Sequence, residues 1–152
     1  MLAELLNPEL IRLDLEAATR DEALKELVGL LKVNEKARAM LLNLLVEREK
    51  LGSTGIGKGV AIPHCRSLML DSLTVAVGRF PKGVDFDAMD KKTSHLFFLV
   101  AAPPKDKGNQ YLLALGAIAK VVKDMGKNDK LLSALTPEEF LDRLKELDAK
   151  GK

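Results

Sequence analysis

The stretch "HLFFLVAA", residues 95–102, decides the fold. After His95 every position is apolar, and "PPKDKG" (103–108) stops the run with prolines and charges. Side chains of a strand point alternately to its two faces, so an unbroken apolar run suits a central strand covered on both sides. Two other segments share its Val, Ile, Leu and Phe content: "GVAIPH" (59–64) and "LTVAVGRF" (73–80), the second partly alternating. "PKG" (81–83) bounds the latter as a turn, and all three read as strands.

On either side of this block the apolar period becomes helical. "ATRDEALKELVGLLK" opens with a capping box, Thr19 and Glu22, and carries Leu24, Leu27, Val28 and Leu31 on one stripe. "NEKARAMLLNLLVEREK" starts at an Asn34 cap, places Ala37, Met40, Leu41, Leu44 and Leu45 on one face, and stops at Gly52. A strand or extended arm, Ile11–Leu15, precedes both. After Gly108, "NQYLLALGAIAKVVKDM" predicts a helix with Leu112, Leu115, Ala119 and Val122 inward and Gly126 as its stop. "TPEEFLDRLKEL" predicts the last helix from Thr136, Pro137 and Glu139. Helices, strands, then helices imply an α/β fold, a mixed sheet with helices on its faces. One domain over 1–148 is expected, with a polar tail at 149–152 and fraying through "ELDAKGK" (146–152).

Composition narrows the function. With 24 basic and 22 acidic residues the net charge is +2, too even to imply a polyanionic partner, so nucleic acid is disfavoured. There is no Trp and one Tyr, so base-stacking platforms are scarce as well. The single cysteine, Cys65, cannot form an internal disulfide, which fits a reducing compartment. Glu4, Glu9 and Asp14 interrupt the N-terminal segment, so it does not read as a signal peptide, and no apolar run approaches the roughly 20 residues of a membrane span. A cytoplasmic protein is expected.

The chemistry concentrates in "STGIGKGVAIPHCR", residues 53–66. Gly55, Gly57 and Gly59 either let backbone N–H groups approach an anion or simply form a turn. No G-x-x-x-x-G-K-[ST] occurs, and the glycines lead into a strand rather than the helix of a dinucleotide fingerprint. Pro63 forces Ile62 to be extended and cannot donate to a ladder, so it ends the strand and leaves His64 at the rim of the sheet. An imidazole there titrates near neutrality and can act as a nucleophile; it can equally be a structural strand-end histidine.

"EREKLGSTGIGKGVAIPH" (47–64) resembles the signature of the enzyme IIA domains of the bacterial phosphoenolpyruvate-dependent sugar phosphotransferase system, fructose/mannitol type, which include stand-alone nitrogen-regulatory proteins. The resemblance continues through "LLNPELIRLDLEAATRDEALKEL" (5–27) and "VDFDAMDKKTSHLFFLVAAPP" (84–104), with G-[IV]-A-I-P-H its most specific part. It implies the mannitol-type IIA fold and phosphorylation of His64 at Nε2 by phospho-HPr or a nitrogen-branch homologue, the other ring nitrogen being held by a hydrogen bond. The group then passes to an enzyme IIB, or its presence on His64 regulates which protein is bound. No fused IIB-like or membrane segment appears in the 152 residues, which is expected of a regulator. No metal or organic cofactor is implied.

The resemblance also assigns the surroundings of His64. Arg48, from the "RE" pair, fits phosphate geometry, the alternative being a solvated helix end. Ser53 and Thr54 add neutral donors or only form the turn. Many members carry a second histidine in the pattern H-L-x-x-L-x-x-[LIV]-A; here "YLLALGAIA" puts Tyr111 in its place. A phenol donates one hydrogen bond but carries no positive charge, so Tyr111 either binds phosphate through its hydroxyl or packs at a helix start, and onward transfer is weakened. His95 lies away from the second-histidine position and is expected to be a structural or exposed strand-end residue. Cys65 is expected to be a small buried residue, and Lys105 and Lys107 a solvated loop that an acidic partner would meet.

Overall fold

The computed structural model describes residues 2–126 and 129–150. Six strands form one mixed sheet: β1 (Ile11–Arg12), β2 (Gly55–Gly57), β3 (Val60–Ala61), β4 (His64–Arg66), β5 (Thr74–Val84) and β6 (Ser94–Ala102). Four α-helices cover it: α1 (Arg20–Val28), α2 (Glu35–Lys50), α3 (Gln110–Asp124) and α4 (Pro137–Lys150). The strand order is β1-β5-β6-β3-β2, and β4 continues along β6 beyond β3. β5 runs antiparallel to β6, whereas β3 and β4 run parallel to it. This is the mixed-sheet α/β architecture that the sequence predicts.

β6 explains the two layers. Leu96, Phe98, Val100 and Ala102 face the core shared with Ala114, Ile118 and Phe140 of α3 and α4. Phe97, Leu99 and Ala101 face the opposite core, with Leu24, Leu27, Leu41 and Leu45 of α1 and α2. Period-two alternation sends an unbroken apolar run into both cores at once. Phe97 anchors the second core through edge-on contacts with Phe80 and Phe86, at centroid distances of 5.1 and 4.9 Å.

The helix starts lie where their caps predict. Thr19 accepts from the Glu22 amide at 3.3 Å, Asn34 from the Ala37 amide at 2.8 Å, and Thr136 from the Glu139 amide at 3.1 Å. Several expectations are corrected. Pro63 interrupts the pairing rather than ending it: its carbonyl accepts the Val100 amide at 3.0 Å, and β4 resumes against β6 at His64. Proline removes one donor but leaves its acceptor, so the ladder survives the break. "PKG" is no turn; β5 runs through it to Val84, with a register irregularity between Arg79 and Val84 where Gly83 has φ +85°. The Ile11–Leu15 arm is a strand only over Ile11–Arg12, although the Leu15 amide still reaches the Arg79 carbonyl at 3.0 Å.

Two helix faces also differ. α2 buries Ala37, Leu41, Leu45 and Glu49, a stripe of strict i, i+4 spacing that leaves Met40 and Leu44 outside. α3 buries Tyr111, Ala114, Ile118, Val121 and Val122, about one residue (roughly 100°) from the expected face, and leaves Leu112 57% exposed. "YLLALGAIA" is apolar almost all round, so its periodicity does not single out a face. Gly126 does not cap α3 with a left-handed residue; the chain turns at Met125, which is extended. Fraying from Glu146 is not seen: α4 continues to Lys150, with Leu147 buried and Asp148 accepting the Ala3 amide at 2.9 Å. The rest of that tail, residues 151–152, lies outside the described residues.

Candidate functional site

The site begins at the end of α2. The i, i+4 stripe that buries Leu41 and Leu45 also brings Glu49 to the buried face, while Arg48 beside it is half-exposed. The Glu49 carboxylate accepts the Thr54 amide at 3.1 Å and the Thr54 hydroxyl in a short hydrogen bond. Burial pushes this carboxyl above the usual carboxylate value, against the Thr54 hydrogen bonds that pull it down. The Thr54 carbonyl accepts the Ile62 amide at 3.0 Å, and the Ile62 carbonyl lies 2.7 Å from His64 Nδ1. Consecutive hydrogen bonds therefore run from Glu49 through Thr54 and Ile62 to the imidazole.

That last contact fixes the tautomer. A carbonyl oxygen can only accept, so His64 Nδ1 carries a proton, and in the neutral ring the lone pair is on Nε2. The ring is half-buried on β4, which has β6 on one side and no other strand partner among the described residues. The Tyr111 ring, from the first turn of α3, lies 6.1 Å from the His64 ring, centroid to centroid. Asp106 positions it by accepting the Tyr111 amide at 2.5 Å. Burial pushes the Tyr111 phenol up to about 12, so it stays protonated and neutral at ordinary pH. Arg48 and Arg66 both lie near enough for their charges to oppose that rise.

The other expected site residues divide. Arg48 donates through Nη1 to the Gly52 carbonyl at 2.7 Å, closing the end of α2. The Ser53 hydroxyl donates to the Phe86 carbonyl and accepts the Gly55 amide at 3.0 Å. The Thr54 hydroxyl is given to Glu49. Both hydroxyl protons thus hold the loop in this structure rather than point to an anion. Gly55 is required there, since an added Cβ would lie 2.8 Å from the Ala88 Cβ.

His95 stands well along β6 from Val100, the residue that pairs with His64. Its Nδ1 lies 3.2 Å from both the Phe80 and Pro81 carbonyls, and its Nε2 is 3.0 Å from the Thr93 hydroxyl. It braces the irregular part of β5, in line with the structural reading. Cys65 points into the α1/α2 core, and burial pushes its thiol up to about 12. Lys105 and Lys107 are exposed. Among the described residues no group of three or more His, Cys, Asp or Glu could hold a metal ion, and no helix is long and apolar enough to cross a membrane.

Two residues escape the sequence reading. Lys58 Nζ donates to the Val122 and Lys123 carbonyls at 3.1 and 2.9 Å, capping the C-terminus of α3. Arg66 places its guanidinium carbon 4.5 Å from the centre of the Tyr111 ring. Neither has a sequence signal, because each partner lies far along the chain.

The family "Phosphoenolpyruvate-dependent sugar phosphotransferase system, EIIA 2" matches residues 4–147. The PTS system fructose-specific EIIA component of Haloferax volcanii is 34% identical over 91% of the chain and 91% of its own length. The fructose-specific EIIABC component of Bacillus subtilis is 30% identical over 97% of the chain, which spans 23% of that larger protein. The nitrogen regulatory protein IIA-Ntr of Neisseria meningitidis superposes with a TM-score of 0.80 at 32% identity, over 94% of this chain and 98% of that one. Enzyme IIA mannitol of Escherichia coli, in its complex with phosphorylated enzyme IIB mannitol, shares the fold with a TM-score of 0.74 at 22% identity, over 93% and 97%. The chain belongs to the EIIA 2 family of the phosphoenolpyruvate-dependent sugar phosphotransferase system.

Proposed function

We propose that residues 1–148 form one phosphoryl-carrier domain that accepts a phosphoryl group on His64 Nε2. The observation that carries this reading is the 2.7 Å contact between Nδ1 and the Ile62 carbonyl, which leaves Nε2 as the nucleophile on an edge strand. The Nε2 lone pair forms the new N–P bond while the donor's N–P bond breaks and its electron pair returns to the donor nitrogen. Both imidazoles keep the proton on their other nitrogen, so the group passes as PO3− and no further proton moves. The Ile62 carbonyl favours the positive charge that develops on the His64 ring. The transfer requires no metal or organic cofactor.

Charge on the moving phosphoryl oxygens calls for cations and donors around the ring. Arg48 is assigned the first role and the neutral Tyr111 hydroxyl the second; Ser53 and Thr54 shape the loop that presents His64. The donor is phospho-HPr or a nitrogen-branch homologue in the cytoplasm. The complex of the mannitol relative with its IIB supports an enzyme IIB as acceptor for this chain too. A second reading, a regulator whose bound partner depends on the state of His64, is favoured by the neutral Tyr111 in the second-histidine position.

Incubation with phosphoenolpyruvate, enzyme I and HPr tests the first step. The expected result is a mass gain of one phosphoryl group, lost in acid and absent from His64→Ala. Label that persists in the variant overturns the assignment. Adding an enzyme IIB then separates relay from regulator: rapid loss of label to the IIB supports relay, and retention supports the regulator.

A further inference from the structure

We propose that Arg66, seated on the ring of Tyr111, is the second guanidinium of the phosphoryl site and pairs with the oxygens carried by His64. The inference rests on the phosphoryl-carrier reading and extends it to a residue outside the GVAIPH run.

On β4 alternate residues share a face. His64 and Arg66 project to one side, and Cys65 between them enters the α1/α2 core. Their α-carbons stand about 6.8 Å apart along the strand, a gap that a phosphoryl group and a guanidinium reach across. Tyr111 supplies a common surface for both: its ring lies 6.1 Å from the imidazole, and the Arg66 guanidinium carbon lies 4.5 Å from its centre. Arg66 Nη1 donates to the Pro104 carbonyl at 3.0 Å, which fixes the plane of the guanidinium. A guanidinium carries several N–H donors in a planar fork, so this bond leaves others for an anion.

Charge makes the arrangement purposeful. A phosphoryl group on Nε2 brings nearly two negative charges. Tyr111 is neutral, so it cannot balance them. Arg48, from α2, and Arg66, from β4, both lie near enough to act on the Tyr111 phenol electrostatically, so cations from two elements surround that ring. Arg66 is exposed, and the ring contact together with the Pro104 hydrogen bond holds its head beside the nucleophile with further N–H groups still free to donate. A fixed guanidinium favours the phosphorylated form over the free one, because its charge-assisted hydrogen bonds form only with the phosphoryl oxygens.

The test uses the full chain equilibrated with phospho-HPr and HPr at a fixed ratio, with the phosphorylated fraction read by mass. This equilibrium does not depend on how fast or how tightly the donor docks. Arg66→Gln is expected to lower the ratio of phosphorylated to free protein about tenfold, the effect of one charge-assisted hydrogen bond. Arg66→Lys restores part of it, and Tyr111→Leu, which removes both the hydroxyl and the surface under Arg66, lowers it further than Tyr111→Phe, which removes the hydroxyl alone. Made in the Tyr111→Phe background, where the hydroxyl is already absent, Arg66→Gln and the further loss of the ring in Tyr111→Leu combine to little more than the larger of the two effects. A ratio for Arg66→Gln within twofold of the unaltered protein, in a variant with unchanged melting temperature, overturns this proposal and leaves the carrier reading standing. Absence of label on the unaltered protein overturns the carrier reading itself. Strict additivity of the two substitutions overturns the shared-ring account.

Discussion

The chain has two histidines, His95 on β6 and His64 on the neighbouring β4, and the structure holds them in opposite ways. His64 gives one ring nitrogen to a backbone carbonyl and keeps the other lone pair at a half-buried edge. His95 donates from Nδ1 toward two carbonyls and has a hydroxyl at Nε2, so both of its nitrogens are engaged. A histidine with both nitrogens engaged stitches backbone; one with a single nitrogen engaged is oriented and leaves the other nitrogen open. Burial alone would not separate them, since both are intermediate in exposure. Their hydrogen-bond partners do.

The largest expected effect breaks the comparison at the chemistry. His64→Ala abolishes phosphoryl uptake, and its stability cost is that of one part-buried hydrogen bond, about 1 kcal/mol. His95→Ala keeps uptake per folded molecule and lowers stability by about 1–3 kcal/mol, through loss of the part-buried donor to the Phe80 carbonyl and of the contacts with the Pro81 carbonyl and the Thr93 hydroxyl. Labelling by mass and urea unfolding on both variants decide it, and an exchange of the two phenotypes would contradict the division of roles. Gly83→Ala comes next, on the His95 side alone. Gly83 has φ +85°, and an added Cβ would lie 2.9 Å from both His95 Cε1 and the Thr93 hydroxyl. Strain and collision together are expected to cost about 2–3 kcal/mol, with uptake by the folded fraction unchanged.

Legibility in the sequence obeys the same division between local and long-range causes. β6 is legible because burial on both faces writes itself into consecutive letters, and α1, α2 and α4 because their caps are local. His64 is legible through Pro63 and the run before it. The inward face of α3 is hidden because "YLLALGAIA" offers apolar residues on nearly every side, so the sheet beneath chooses the face. The passage of β5 through Pro81 depends on the irregularity between Arg79 and Val84 and on the His95 brace. Arg66 is silent in sequence, since its meaning comes from a ring on another element, and the hydroxyls of Ser53 and Thr54 read equally as anion donors or turn formers until Phe86 and Glu49 are seen to hold them in the loop.

The smaller predictions sharpen how His64 is oriented. Thr54→Val keeps the shape of the side chain but removes the hydroxyl that Glu49 accepts, leaving a buried carboxylate oxygen without its donor. A loss of about 1–3 kcal/mol in stability is expected. A few-fold fall in uptake should accompany it, because the Thr54 carbonyl holds the Ile62 amide and Ile62 holds the imidazole. Unchanged uptake would detach His64 from this series of bonds.

The smallest effect lies in the pH dependence of Glu49. Burial raises its carboxyl above the ordinary 4.5, so the folded protein binds that proton more tightly than the unfolded chain does. The resulting contribution to stability is present below the ordinary value and is lost as pH rises through the raised one. Glu49→Gln has no such proton to lose. Urea midpoints of parent and variant between about pH 4 and about pH 7 should therefore diverge, the parent losing stability relative to the variant as pH rises. Parallel profiles would mean that the Thr54 hydrogen bonds fully offset the burial of the carboxylate. Glu49 would then hold the loop as a comfortable anion, and the orientation of His64 would carry no pH dependence from this side.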